Sequence, residues 1–237
     1  MFPFIKIYCT RVQRYDPLHP SAIIRAVTQS WAGEPDGRTR HRLATRERVF
    51  QAAIKVFVTR GYDNATMNEI AAEAGVARRT AFNQFAAKSD IAVEWAIRRG
   101  AHAFALTRQA DRPTRSVPDR IRAYFHELAV MTEHDWEETR QLTTGWLRGY
   151  GSPNHRSWLS EELRNWLCEW LHGQPDDRLP QGATDPGLAT DVLYDVYQGV
   201  LIRWMPQQSP GPGRFTAEVD AAIALVLAGL RHSALSA

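Results

Sequence analysis

The stretch Thr66–Phe85 constrains the fold more than any other, because it leaves room only for two short helices joined by a tight turn. Thr66-Met-Asn-Glu69 is a capping box: the Thr hydroxyl and the Glu carboxylate each satisfy a backbone N–H that a helix start leaves orphaned. Ile70, Ala71 and Ala74 then form an apolar face, and Gly75 stops the helix. A second helix begins near Ala77 and runs through Phe85. Ala71, Ala74 and Val76 are small where the two helices must approach, which is the layout of a helix-turn-helix. Such a unit reads DNA when its second helix fits the major groove, presents donors on its first turn and is packed firmly from behind. Arg78, Arg79, Thr80, Asn83 and Gln84 supply the polar groups, and Ala81 and Phe85 the packing. An αα-corner with a glycine imitates the pattern, so the motif alone is only moderately specific.

Upstream, Val49, Phe50, Ala53 and Phe57 recur at helical spacing from Leu43 onward, and Gly61 closes that helix. Residues 1–40 hold Pro17, Pro20 and Pro35 and no sustained period, and read as a loosely ordered extension with a possible short helix at 21–31. Downstream, a helix is expected from Lys88 to about Arg108. Others are expected from Ser116 to about Met131, from Asp135 to Tyr150, around Trp158–Trp170, and over 188–205 and 216–235. Gly173–Gly187 and Pro206–Gly213 are rich in breakers. No β-alternation is convincing. The expected class is all-α, with an N-terminal three-helix helix-turn-helix domain at 41–102 and a C-terminal helical ligand-binding and dimerisation domain at 103–237.

Charge is distributed in the same sense. Residues 1–92 hold 14 Lys+Arg against 8 Asp+Glu, whereas the whole chain carries only +3, so the positive charge lies at the front, as suits a polyanionic partner. Arg38, Arg40, Arg42, Arg46 and Arg48 form a basic approach to the first helix, either following a phosphate backbone or merely solvated.

The run from Arg46 to Ile91 resembles the tetracycline-repressor (TetR) family nearly position for position. The first helix carries the likeness in Val49, Phe50, Ala52, Ala53, Val56, Phe57, Gly61 and Tyr62. The second carries it in Thr66, Ile70, Ala71, Ala74, Gly75 and Val76, and the reader and its cap in Thr80, Phe82, Phe85, Lys88 and Ile91. The resemblance implies that Arg78 and Arg79, with Asn68, read base edges. It implies that Thr66, Thr80, Phe82, Asn83, Gln84 and Lys88 hold phosphates, fixing register without reading sequence. Three positions depart from the family's usual pattern. Ala77 stands where Ser or Thr would cap the reader helix, Phe82 stands for Tyr and lacks its hydroxyl, and Asn83 or Gln84 stands for His.

In the C-terminal half, Val192, Leu193, Tyr197, Val200, Leu201, Ile202 and Trp204 cover nearly all sides of one helix. Val219, Ile223, Leu225, Val226 and Leu230 do the same for another. Helices apolar all round are buried on both faces, either in a fully internal core or, as the resemblance implies, in a four-helix homodimer interface. Two-fold symmetry would match a palindromic operator on double-stranded DNA, with readers about 34–36 Å apart or a multiple of it. Phe125, Trp136, Trp146, Tyr150, Trp158, Trp166 and Trp170 suggest a pocket for an apolar or aromatic small-molecule effector, though each also suits plain core packing. Arg122, His126, Thr143 and Asn165 are its candidate polar contacts, with Tyr197 beside them. The resemblance implies that an effector shifts the helix starting near Lys88 and so changes the spacing of the readers.

Other classes are disfavoured. Nucleophile-elbow, phosphate-loop and H-E-x-x-H motifs are missing; His126-Glu127 comes nearest the last, but Val130 occupies the second His position. Cys9 and Cys168 are the two cysteines, too few for a disulfide framework or a cysteine zinc site, and Cys168 reads as a small buried residue. No cofactor, metal or membrane span is expected, and a cytoplasmic bacterial regulator fits, Arg outnumbering Lys by 26 to 3. A ligand-independent DNA-binding regulator or an activator stays open beside the ligand-released repressor, and an enzyme only remotely.

Overall fold

The computed structural model describes residues 37–110, 115–149 and 186–233. The described residues form eight helices and no strand. They are α1 (Gly37–Arg60), α2 (Met67–Glu73), α3 (Arg78–Gln84), α4 (Lys88–Gln109), α5 (Val117–His134), α6 (Trp136–Gly149), α7 (Pro186–Trp204) and α8 (Arg214–Ser233). The short helix expected at 21–31, the helix around Trp158–Trp170, and Trp166, Asn165, Tyr150, Cys9 and Cys168 lie outside them.

α1 begins earlier than its apolar period does. Gly37–Arg42 is helical but has no buried residue, so it leaves no periodic signal. From Thr45 the buried stripe (Val49, Phe50, Ala53, Phe57) appears, and Gly61 ends the helix at φ +81°, where a side chain would be strained. α2 starts on the expected capping box: the Thr66 backbone N–H donates to Glu69, and the Thr66 hydroxyl accepts from the Glu69 N–H at 3.3 Å. Gly75 at φ +63° makes the turn into α3.

Two cores result. The first gathers α1, α2, Ala81 and Phe85 of the α3 segment and the start of α4 around Phe57 and Ile70. Leu142 and Trp146 of α6 belong to it too. The second packs α5, α7 and α8 around Phe125, Leu193, Phe215 and Ile223, with Phe104 from the far end of α4. α4 therefore runs unbroken through the division expected at 102/103 and serves both cores.

α8 is fastened to α5 by a carboxylate. Glu133 accepts from the backbone N–H groups of Gly213 and Thr216 and from the Thr216 hydroxyl, at the helix end where such donors are orphaned. Burial pushes its pKa up, but the Thr216 and Gly213 bonds together outweigh that and hold it below its ordinary value of 4.5. A depressed carboxylate contributes stability that is complete above its unfolded pKa and fades as pH falls through the folded one. Glu133→Gln should therefore cost about 1–2 kcal/mol at pH 7. Urea titrations should show that gap closing below pH 4.5; a pH-independent gap would mean that shape, not charge, holds α8.

Candidate nucleic-acid interface and effector cavity

α3 is packed from behind and open in front. Ala81 and Phe85 are buried, Thr80 and Gln84 half-buried, and Arg78, Arg79, Phe82 and Asn83 exposed, with Thr66 and Asn68 exposed at the start of α2. The Arg78 guanidinium stands over the Phe82 ring at 5.4 Å, which holds it forward. Arg79 has no hydrogen bond or ion pair among the described residues. Ala77 has the extended backbone of an N-cap but no side-chain bond to give, as its methyl implies.

Lys88 is differently placed from the rest of the expected phosphate set. Its ammonium donates to the carbonyls of Tyr62 (2.8 Å), Asp63 (3.2 Å) and Ala65 (3.1 Å) and lies 4.5 Å from the centre of the Tyr62 ring. Three donors meet three acceptors, so the residue clamps the α1–α2 loop to the start of α4. Desolvation pulls its pKa down from the usual lysine value. Arg46 likewise turns inward rather than joining the basic approach. It reaches Glu94 on α4 and the carbonyl of Gln84 at the end of α3, and stacks on Phe85 at 3.9 Å. Arg38 and Arg48 remain exposed.

Between the two cores, α4, α5, α6 and α7 enclose a cavity of about 60 Å³. Trp95, Tyr124, Leu128, Trp146 and Leu201 make it apolar; Arg99, Thr132, Thr139, Thr143, Tyr197 and Gln198 bring polar side chains to it. The Thr132 and Tyr197 hydroxyls bond each other at 2.7 Å, and burial raises the Tyr197 pKa, so the phenol is neutral. Of the expected effector contacts, Thr143, Trp146 and Tyr197 come together here. Phe125 is fully buried in the second core and does not line the cavity. Arg122 and His126 lie instead in an open cleft of about 550 Å³, paired with Asp119 (2.7 Å) and Asp220 (2.9 Å).

Two residues outside the sequence reading shape this region. Arg99 falls four residues after Trp95 on the buried side of α4, a charge on an apolar stripe, and that position was its legible signal. Gly145 is where α6 crosses Tyr62: a Cβ there would sit 2.2 Å from a ring carbon. The ring is held by Phe57 at 5.0 Å and by Lys88, so it cannot swing aside. Gln141 accepts the Tyr62 N–H at 2.9 Å, and Arg148 pairs with Asp63 at 2.8 Å. Gly145→Ala should cost about 1–3 kcal/mol by overpacking. Because the two residues share one contact, adding Tyr62→Leu should cost less than the two single changes together. Strict additivity in urea unfolding would show that α6 does not press on that ring.

Residues 49–95 match the family described as bacterial regulatory proteins, tetR family. Over this segment the chain is similar to the TetR family. The transcriptional activator FasR of Mycolicibacterium smegmatis is 33% identical over 97 residues, which span 41% of this chain and less than half, 44%, of FasR. FadR of Thermus thermophilus, a TetR-family repressor solved with lauroyl-CoA, superposes with a TM-score of 0.61 at 24% identity, over 78% of this chain and 94% of that one. SmeT, the repressor of the Stenotrophomonas maltophilia multidrug efflux pump SmeDEF, gives 0.56 at 21% identity, over 78% and 89%. These two likenesses establish the TetR fold across the C-terminal helices as well as the reader. No helix of the described residues is long and apolar enough to cross a membrane.

Proposed function

We propose that this chain is a cytoplasmic TetR-family transcriptional repressor that binds a palindromic operator as a homodimer and is released by a small molecule held between α4, α5, α6 and α7. The observation that carries this reading is the double duty of α6. Leu142 and Trp146 are part of the reader domain's core, while Thr139, Thr143 and again Trp146 wall the cavity. A ligand that parts these walls must move a component of the reader. FadR's lauroyl-CoA complex and a triclosan complex of SmeT support an apolar or aromatic effector.

Arg78 and Arg79, with Asn68, are the base readers in this proposal, and Thr66, Thr80, Asn83 and Gln84 face the phosphates. Phe82 supports Arg78, and Lys88 positions the α1–α2 loop. The dimer rests on α7 and α8: each buries one apolar face, yet Leu188 is 51% and Leu225 76% exposed, with Val192 and Ile202 beside them in exposure. A fully internal helix pair would not leave these side chains to water. Leu225→Glu should shift the chain from dimer to monomer in sedimentation velocity; an unchanged dimer would place the interface elsewhere.

The test of the whole reading is binding to duplex DNA from the chain's own upstream region, followed across salt concentration and during a small-molecule screen for release. Tight, steeply salt-dependent binding with release by a cavity ligand supports it. Affinity no better than for random duplex, with no site recovered by genome-wide selection, would refute it.

A further inference from the structure

Arg99 is a buried cation with only part of its hydrogen-bonding capacity used. Its side chain is 10% exposed, and Nη1 pairs with Asp135 at 3.0 Å and more distantly with Glu138 at 3.8 Å. Nε and Nη2, both buried, have no hydrogen-bond partner among the described residues. Unsatisfied donors of a charged group cost more than neutral ones, and buried polar groups of native proteins nearly always find partners. These two atoms form one edge of the guanidinium, the edge whose parallel N–H bonds match the two oxygens of a carboxylate. The residue lines the apolar cavity, beside the Trp95 ring at 4.9 Å and close enough to Tyr197 to pull its pKa down against burial. Thr143 is buried in the same wall.

We infer that the effector is an amphipathic anion, a carboxylate on an apolar or aromatic body, and that Arg99 takes the carboxylate through Nε and Nη2. This rests on the ligand-release reading above and gives that ligand a chemical class. The aromatic walls accept the body and the arginine edge accepts the head. At about 60 Å³ the cavity is well below the roughly 150 Å³ that takes a benzene, so such a ligand enters by parting the walls. The head also draws on the charge that Arg99 now shares with Asp135 and Glu138, and Glu138 in turn accepts the Trp95 indole N–H at 2.5 Å. Binding therefore loosens the tie between α4 and α6, whose other face is seated on Tyr62.

Shape-matched probes separate head from body: 3-phenylpropanoate, 3-phenylpropan-1-ol and 3-phenylpropylamine, with octanoate and octan-1-ol as a second body. Calorimetric affinity and operator release are measured on wild type, Arg99→Met and Arg99→Lys. In wild type each carboxylate should bind at least about tenfold more tightly than its alcohol, as a charge-assisted bidentate pair requires. Arg99→Met should abolish that preference and leave the alcohols unchanged, and Arg99→Lys, lacking the planar fork, should recover only part of it. Free Arg99→Met should melt at or above the wild-type temperature, because an isosteric apolar side chain removes the unmet donors while Asp135 and Glu138 keep solvent access. A merely structural arginine would give the opposite sign. Alcohols binding and releasing DNA as well as the acids, or a preference that survives Arg99→Met, would overturn the anion while leaving ligand release standing. Silence from every probe would overturn the anion too. Whether ligand release itself holds is then decided by the wider screen.

Discussion

Replacing Arg78 and Arg79 together with alanine should lower operator affinity by two to four orders of magnitude while leaving the fold unchanged. Each arginine that bonds O6 and N7 of a guanine is worth about 1–3 kcal/mol, and about 1.4 kcal/mol is tenfold. Neither side chain supports the protein: Arg79 has no bond or ion pair among the described residues, and Arg78 rests on exposed Phe82. Stability should therefore stay within about 0.5 kcal/mol of wild type. The diagnostic comparison is with random duplex. Base readers lose affinity for the operator and little for random DNA, with a nearly unchanged salt slope, whereas phosphate ligands lose both equally and flatten the slope. Fluorescence anisotropy on both duplexes decides it, and equal losses would move Arg78 and Arg79 from reading to holding.

The sequence announced the reader because local rules govern it. A capping box, a glycine at a positive φ and a buried Ala81–Phe85 side are all written within twenty residues, and each is found where the spacing puts it. What it could not announce depends on distant partners. Lys88 resembles a solvated or phosphate-binding cation until Tyr62, Asp63 and Ala65 turn their carbonyls to it from more than twenty residues away. Gly145 looks like an ordinary weak point in a helix, and only the crossing over Tyr62 makes it obligatory. Of the aromatic residues expected around an effector, Trp146 lines the cavity, whereas Phe125 and Trp136 do not. Phe125 and Trp146 share the same chemistry, and only the packing of α5 and α6 sends one to the core and the other to the cavity wall. Arg122 and His126 were polar on an otherwise apolar helix, yet they face the open cleft with acidic partners.

Glu94 is the most costly of these hidden long-range residues, and Glu94→Ala should destabilise the chain by about 3 kcal/mol or somewhat more. From sequence it forms an everyday i, i+4 pair with Arg98, worth a few tenths of a kcal/mol on a solvated helix face. In the fold it is 3% exposed and bridges two guanidinium groups. One oxygen accepts Arg46 Nε (3.1 Å) and Nη2 (2.5 Å); the other accepts Arg98 Nε (3.1 Å) and Nη2 (2.6 Å). Arg98 continues to Glu47 at 2.6 Å, and Arg46 to the Gln84 carbonyl that ends the reader helix. Removing the carboxylate leaves two mostly buried cations facing each other, supported only in part by Glu47, the Gln84 carbonyl and stacking on Phe50 and Phe85. The urea midpoint should fall with little change in slope, and a loss below about 1 kcal/mol would show that water already reaches these charges. Replacing all three charges, as Arg46→Met/Glu94→Leu/Arg98→Met, should return most of the stability, since well-packed apolar groups often match a buried ion triad. Operator affinity should not return with it. The bonds from Arg46 to Glu94 and to Gln84 fix how the end of α3 sits on α4, and apolar packing has no such direction. A triple variant that is stable and still binds operator like wild type would show that this network does not set how α3 sits on α4.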